Sequence, residues 1–356
     1  MASPRTQATL LDKLLFIPLI AKVLFAVAYR FVTYGFVATK ANKPLKDLVF
    51  AALRQNLATV SVAQEQWSIQ ANTEANYLDL AAKHKFQPET TVLNSGLKLH
   101  WLGPKNSEKV ILYFHGGGYA LPCSPGHVQW LFDLQKELSK KTSVSVILVH
   151  YTLTPHLQYP GQLSQAVETL NWVLGKHGKK PSQVAIGGDS AGGNLTLGLM
   201  SHLLHPLPDI TKVELSEPLA TAVLISPWTS FGTDGDSWKR NATSDMLPPE
   251  AARRWASLYL GDSPANEYNE PIRADSQFYS GLPKIVENLL VWGGGGEVLI
   301  DSIQKSAATL KEAHPKTELV VQKGAAHEDF ILDVLLGYKE KGEGAVVVEN
   351  WLAERL

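Results

Sequence analysis

The chain has 356 residues, more than one average domain of about 150 residues and few for three. With 45% hydrophobic and 19% charged residues it is not a disordered chain, and its length allows a large core. Lys plus Arg total 33 against 34 Asp plus Glu, a net charge of −1 that argues against nucleic-acid binding, and the single Cys123 excludes an internal disulfide and a Cys-rich zinc site.

The average hides an asymmetry. Residues 1–50 carry +5, so the remainder carries −6. The same segment holds the most apolar run, Leu14 to Ala38, long enough at about 1.5 Å per residue to span a bilayer. Helical spacing puts Lys22, Tyr29, Arg30 and Thr33 on one face. A charged stripe is out of place in a spanning helix. It suits a helix lying on a membrane surface, or one covering a catalytic domain with its polar edge outward. A transmembrane anchor, a signal peptide and a plain core helix are the remaining readings, although no Ala-x-Ala cleavage site follows cleanly. If the run spans, the heavier basic flank after it (Lys40, Lys43, Lys46) puts the rest of the chain in the cytosol.

Residues 45–85 read as helices of mixed polarity. Thr91–Leu93 and Leu97–Leu102 around Asn94-Ser95-Gly96 predict a β-hairpin. Strands are then expected at Val110–Phe114, Val144–Val149, Val184–Gly187, Thr221–Ser226, Leu289–Trp292 and Glu318–Gln322, with helical stretches between most of them. Short Val/Ile/Leu runs separated by helices predict an α/β fold whose parallel sheet is covered on both faces. The alternation fails over 230–262, which suggests an insertion above the sheet. The chain thus divides into an amino-terminal segment, 1–85, and a catalytic domain, 86–356.

Gly188-Asp189-Ser190-Ala191-Gly192 directly follows a strand and precedes a helical run, the setting of a nucleophile elbow. Such a turn requires small residues two before and two after the serine. It lifts the Ser190 hydroxyl to the carboxyl end of the sheet and to the amino end of a helix, where N–H groups favour negative charge. His115-Gly116-Gly117-Gly118 follows another strand end. Its glycines free backbone N–H groups to hold an oxyanion, for which Gly117, Gly118 and Ala191 are the candidates. His115 reads as a brace for that loop.

A serine needs a base and the base an orienting carboxylate. In this arrangement the chain order is Ser, acid, His. His327 lies in a loop after the last expected strand and is the best base. His314 falls in a helical stretch and reads as solvated, and His202 and His205 lie far along the helix after Ser190. Glu297 follows four glycines at the end of the preceding strand and is the preferred acid. Asp301 is its rival, already one turn into the next helix, with a helix-start or supporting role otherwise. Asn241-Ala-Thr243 spells a glycosylation sequon in the insertion, of consequence only if the domain faces the endoplasmic-reticulum lumen, and Asn194-Leu-Thr196 is one by spelling only, because it opens the helix behind Ser190.

Together these motifs resemble the hormone-sensitive-lipase-like branch of the α/β-hydrolases. His115–Gly118 matches its oxyanion motif and Gly188–Gly193 its elbow, in which Asp189 is a supporting residue. Tyr151–Pro155, Ser226-Pro227-Trp228 and Asn269-Glu270-Pro271 also look familial. The amino terminus, Tyr159–Leu163 and His202–Pro206 look like fungal steryl-acetyl-hydrolase-like and secondary-metabolite hydrolases. The chain departs from the branch at the acid, where Glu297-Val298-Leu299 stands for Asp-Pro-Leu, and around Tyr151, which lacks the usual arginine.

The resemblance implies an α/β-hydrolase fold with a helical cap, built from the amino-terminal helices and residues 230–262. It implies a serine ester hydrolase for short acyl esters, acetyl esters among them, of a bulky hydrophobic alcohol, using no cofactor and no metal. Amidase, lactonase or transacylase chemistry on the same triad is the second reading. A ligand-binding homologue, as in the gibberellin-receptor branch that lacks the histidine, is the third. The partners expected are a hydrophobic small-molecule ester and a membrane surface at residues 14–38, with no nucleic acid. The resemblance pulls the location towards the endoplasmic-reticulum membrane and the charge flank towards the cytoplasm.

Overall fold

A computed structural model describes residues 7–69 and 71–356; residues 1–6 and Gln70, both within the expected 1–85 segment, lie outside the described residues. Helix α1 (Leu10–Thr33) starts at a capping box: the Thr9 hydroxyl accepts the Asp12 N–H at 3.1 Å, and the Thr9 N–H donates to the Asp12 carboxylate at 2.8 Å. Then come α2 (Pro44–Thr59), α3 (Val62–Ser68) and α4 (Thr73–His84). Proline opens α2, and the side chains of Ser61 and Asn72 cap α3 and α4.

No helix among the described residues is long and apolar enough to cross a membrane. The spanning alternative for Leu14–Ala38 fails for a visible reason. Arg30, expected on an outward polar face, is buried and grips Asp47 of α2 at 2.5 and 2.7 Å, with a further bond to the Thr243 carbonyl at 3.0 Å. The charge-flank argument for orientation therefore has no spanning segment to act on.

The remaining elements alternate as expected. In chain order they are β1 (Glu89–Val92), β2 (Lys98–Leu102), β3 (Lys109–Phe114), α5 (Pro125–Leu138), β4 (Val144–His150), α6 (Gly161–Leu174), β5 (Val184–Asp189) and α7 (Ser190–Leu204). They continue as β6 (Leu219–Ile225), α8 (Asp236–Arg240), α9 (Pro249–Leu260), β7 (Val286–Gly294), α10 (Ile300–Ala313), β8 (Thr317–Gln322), α11 (Asp329–Leu335) and α12 (Glu343–Ala353). The eight strands form one sheet ordered β1-β2-β4-β3-β5-β6-β7-β8. β2 pairs antiparallel with β1 and β4, and the rest of the ladder is parallel.

Strands β3 to β6 are buried along nearly their whole length, which is why they read as continuous apolar runs. Two apolar layers flank them. One gathers Leu163, Leu170, Leu195, Leu199, Ile303 and Leu310 from α6, α7 and α10. The other gathers Trp130, Leu134, Phe330, Val348 and Trp351 from α5, α11 and α12. The sheet is thus rigid where its carboxyl ends must hold side chains in register. The 230–262 stretch forms α8 and α9 beyond β6, and α9 meets α2.

Candidate active site

The turn between β5 and α7 is as tight as its glycines suggest. Ser190 has φ of +48°. A Cβ on Gly192 would lie 1.8 Å from the Phe114 carbonyl oxygen, and one on Gly188 2.4 Å from the Gly192 backbone. Neither position accepts a side chain, because the turn runs against the end of β3.

His327 lies just ahead of α11, with Nε2 2.9 Å from the Ser190 hydroxyl. Its Nδ1 lies 2.7 Å from Glu297 Oε2. The other Glu297 oxygen accepts the Gly294 N–H at 2.6 Å and the Ser226 hydroxyl at 3.0 Å. Both carboxylate oxygens are therefore fixed, and the imidazole has one orientation. This order, nucleophile to base to acid, is the one needed to move a proton from a hydroxyl onto Nε2.

All three side chains are buried or nearly so. Burial opposes charge on the imidazole, but the Glu297 hydrogen bond and charge, with more distant Asp245 and Asp189, outweigh it and hold His327 above the ordinary imidazole value. Burial raises Glu297 as well, against the pull of His327.

Gly117 and Gly118 have φ of +101° and +60° and line the cavity beside Ser190. A Cβ on Gly118 would meet the Trp255 ring at 2.3 Å. Ala191 sits in the first turn of α7. All three expected oxyanion residues thus lie around the nucleophile. His115 is buried and stacked on Tyr151 at 4.4 Å, whose hydroxyl donates to the His115 carbonyl at 2.7 Å. Burial holds its pKa down at about 3, so it is a neutral packing group. Asp189 braces the same loop: it accepts the Gly116 N–H at 2.8 Å, the Tyr113 hydroxyl at 2.6 Å and His127 Nε2 at 2.9 Å.

Two expectations need correction. Asp301 is not at the triad. It accepts the Ser237 N–H and an Arg240 N–H, both at 2.8 Å, and ties α8 to α10. His314 is not solvated. It is buried at the end of α10, bonded to Thr317 and to the Val286 carbonyl at 3.0 Å each. Neither sequon is open to a glycan: the Asn241 amide is buried against the Gly295 and Glu297 carbonyls, and the Asn194 amide against those of Trp228 and Asn269.

Several site residues carry no sequence signal. Asp245, buried in the insertion, accepts the Val298 N–H at 2.7 Å and the His327 N–H at 3.3 Å, so one carboxylate holds both the acid loop and the base loop. Lys46 of α2 is buried between Asp329 and Asp333 at 2.9 and 2.6 Å. Asp329 in turn accepts the Ala326 N–H at 3.0 Å, so α2 is tied to the loop that carries His327. Glu328 follows the base directly, at φ of +52°.

A cavity of about 350 Å³ opens at Ser190. Its walls come from Leu53 and Leu57 of α2, Leu121, Leu247, Trp255 of α9 and Leu332 of α11, among others. Among the described residues one group has metal-ligand side chains close together, His127, Asp189 and Glu328, within 4.8 Å of one another. His127 and Asp189 are already bonded to each other there.

Comparison with known proteins bears on the fold and the family. A family profile described as the alpha/beta hydrolase fold matches residues 111–331. An acetyl-hydrolase of Streptomyces hygroscopicus is 31% identical over 224 residues, 61% of this chain and 67% of that protein. A candidate steryl acetyl hydrolase of Schizosaccharomyces pombe is 27% identical over 240 residues, 63% of this chain and 61% of that protein. In fold, the chain is similar to the crystal structure of an esterase from the bacterial hormone-sensitive lipase family. The TM-score is 0.65 at 24% identity, over 88% of this chain and 99% of that one.

Proposed function

Because this chain belongs to the α/β-hydrolase-fold family and is a carboxylesterase-type hydrolase, we propose that it falls in the hormone-sensitive-lipase-like branch and that Ser190, His327 and Glu297 carry its chemistry. The observation that carries the reading is the unbroken relay from the Ser190 hydroxyl through His327 to Glu297, at 2.9 and 2.7 Å, at the floor of an apolar cavity.

His327 Nε2 takes the Ser190 proton as the oxygen attacks the ester carbonyl. The tetrahedral oxyanion is held by the N–H groups of Gly117, Gly118 and Ala191, each worth about 3 kcal/mol when aligned. Collapse of that intermediate expels the alkoxide, which takes its proton from His327. Water, deprotonated by the same nitrogen, then cleaves the acyl-enzyme. Glu297 keeps the Nδ1–H tautomer and stabilises the imidazolium.

The favoured substrate is a short acyl, chiefly acetyl, ester of a bulky apolar alcohol. Supporting this are the aliphatic and aromatic walls and the acetyl-hydrolase names among the relatives. The helices α1 to α4 with residues 230–262 act as the cap that selects it. A membrane surface is the second partner: Leu24, Phe25, Phe31 and Val32 of α1 are each at least 64% exposed, a face that suits the apolar edge of a lipid layer.

The test is hydrolysis of p-nitrophenyl esters from acetate to palmitate by wild type and Ser190→Ala. Activity on short chains that vanishes in the variant supports the reading. A wild type that is inactive, and whose Ser190 does not react with a fluorophosphonate, refutes it.

A further inference from the structure

The His327 loop places a second glutamate in the cavity, next to the base. Glu328 sits in the left-handed backbone region, with its N–H on the Ser226 hydroxyl at 3.3 Å. That conformation turns its side chain to the cavity beside Ser190. One carboxyl oxygen lies 3.7 Å from His327 Nε2 and the other 3.7 Å from His127 Nε2. Glu328 is only 5% exposed, yet its Oε1 accepts no hydrogen bond from the protein. Among the described residues lining this cavity it is the one fully buried side-chain oxygen without such a donor.

The neighbouring carboxylate explains why no donor reaches it. Asp189 already takes three donors, from Gly116, Tyr113 and His127. A Cβ on Gly116 would fall within 2.2 and 2.3 Å of the Asp189 and Glu328 oxygens, so only glycine lets the two carboxyls lie together. Burial first, and then the Asp189 charge, push the Glu328 carboxyl well above the usual carboxylate range. That proton is shared with Asp189 through a side-chain hydrogen bond, so what the Glu328 carboxyl offers the cavity is an acceptor. A metal ion is a poorer occupant, because Asp189 would have to give up the loop N–H and the tyrosine it holds.

Position says what meets this group. On the ester-hydrolase reading above, the leaving oxygen must come within hydrogen-bond reach of His327 Nε2. The carbon that bears that oxygen, and the substituents on the next carbon, then fall beside Glu328. We propose that Glu328 is a substrate-binding residue that hydrogen-bonds an oxygen substituent vicinal to the ester on the alcohol portion. The preferred substrates are then monoesters of a bulky apolar alcohol bearing a hydroxyl next to the ester, rather than esters of plain alkanols.

The experiment compares kcat/KM of the full chain for trans-2-hydroxycyclohexyl acetate and cyclohexyl acetate, each corrected for its rate with hydroxide. Wild type is expected to prefer the hydroxy ester by about 10-fold or more, the scale of one buried hydrogen bond in a site built for it. Glu328→Gln, which keeps a donor and an acceptor on the same frame, retains most of that ratio. Glu328→Met removes both and brings the ratio close to one. A wild type that cleaves both acetates at equal corrected rates overturns the Glu328 role alone, as does Glu328→Met with the wild-type ratio. A wild type that cleaves neither overturns this inference, and the ester reading falls with it only where Ser190 is also inert to a fluorophosphonate. The wild-type ratio requires no variant, so misfolding of Glu328→Met leaves the test standing on it and on Glu328→Gln.

Discussion

The carboxyl end of the sheet and the amino-terminal helices meet across one cavity, and they are built differently. At the sheet end, position is enforced by backbone: Ser190 and the two glycine-rich loops sit where strands stop, and a Cβ at Gly192 or Gly118 would collide with backbone or ring atoms. In the helices, position is enforced by buried ion pairs between distant residues. Arg30 grips Asp47, Lys46 joins Asp329 and Asp333, and Glu65 takes Arg254 and the Trp255 N–H. In each loop the glycines that those close approaches require sit within a few residues of one another and leave a motif. Ion pairs act over tens or hundreds of residues and leave none.

The sharpest test of the sheet end is Glu297→Gln. The Gly294 N–H and Ser226 hydroxyl both donate to Oε1, so the amide oxygen takes that place and the NH2 faces His327 Nδ1. Nδ1 must then accept, and Nε2 carries its proton toward Ser190, the wrong tautomer for a base. Loss of about 10⁴ in kcat is expected with little change in fold. Wild type itself should lose kcat/KM on acidification with a midpoint above the ordinary imidazole value of 6.5, because Glu297 favours the protonated, inactive His327. A midpoint at or below 6.5 would break the account of that pair.

The helical region should fail through stability instead. Lys46→Met leaves Asp329 and Asp333 facing each other without their buried cation, an expected loss of about 3–5 kcal/mol in a denaturant melt. Adding Asp329→Asn and Asp333→Asn removes both stranded charges and should restore much of it. If Lys46→Met melts like wild type, the ties across the cavity are not what hold α2.

The same division governs how much the sequence discloses. The strands, the elbow, Glu297 and His327 follow from local pattern, because parallel core strands must be apolar and a tight turn must be glycine. Asp245 could not be read that way, since its role exists only where residues 245, 298 and 327 meet. Lys46 reads from sequence only as part of the basic flank after Leu14–Ala38, for the same reason. Arg30 and His314 read as solvent-facing from sequence because helical spacing gives a face but not what covers it. Glu328 carries no pattern of its own beside His327, and only its left-handed backbone conformation, uncommon for anything but glycine, sets it apart.

The smallest effect on the folded protein is expected on the outer face of α1, and there it sharpens the contrast. Phe25 and Phe31 are 72% and 71% exposed, so little of either is buried by folding. Changing both to serine should shift stability by no more than about 0.5 kcal/mol, the range for surface substitutions. A lipid layer would bury each ring, at about 1.5–3 kcal/mol apiece. Sedimentation with anionic vesicles should therefore fall by about 100-fold or more for the pair while the melt stays put. A large drop in melting midpoint would mean that this face is covered by protein in solution. Unchanged sedimentation would mean that α1 meets no membrane. Only the combination, an unmoved melt and lost binding, fits a helix that Arg30 anchors to the enzyme on one side and that offers the other side to lipid.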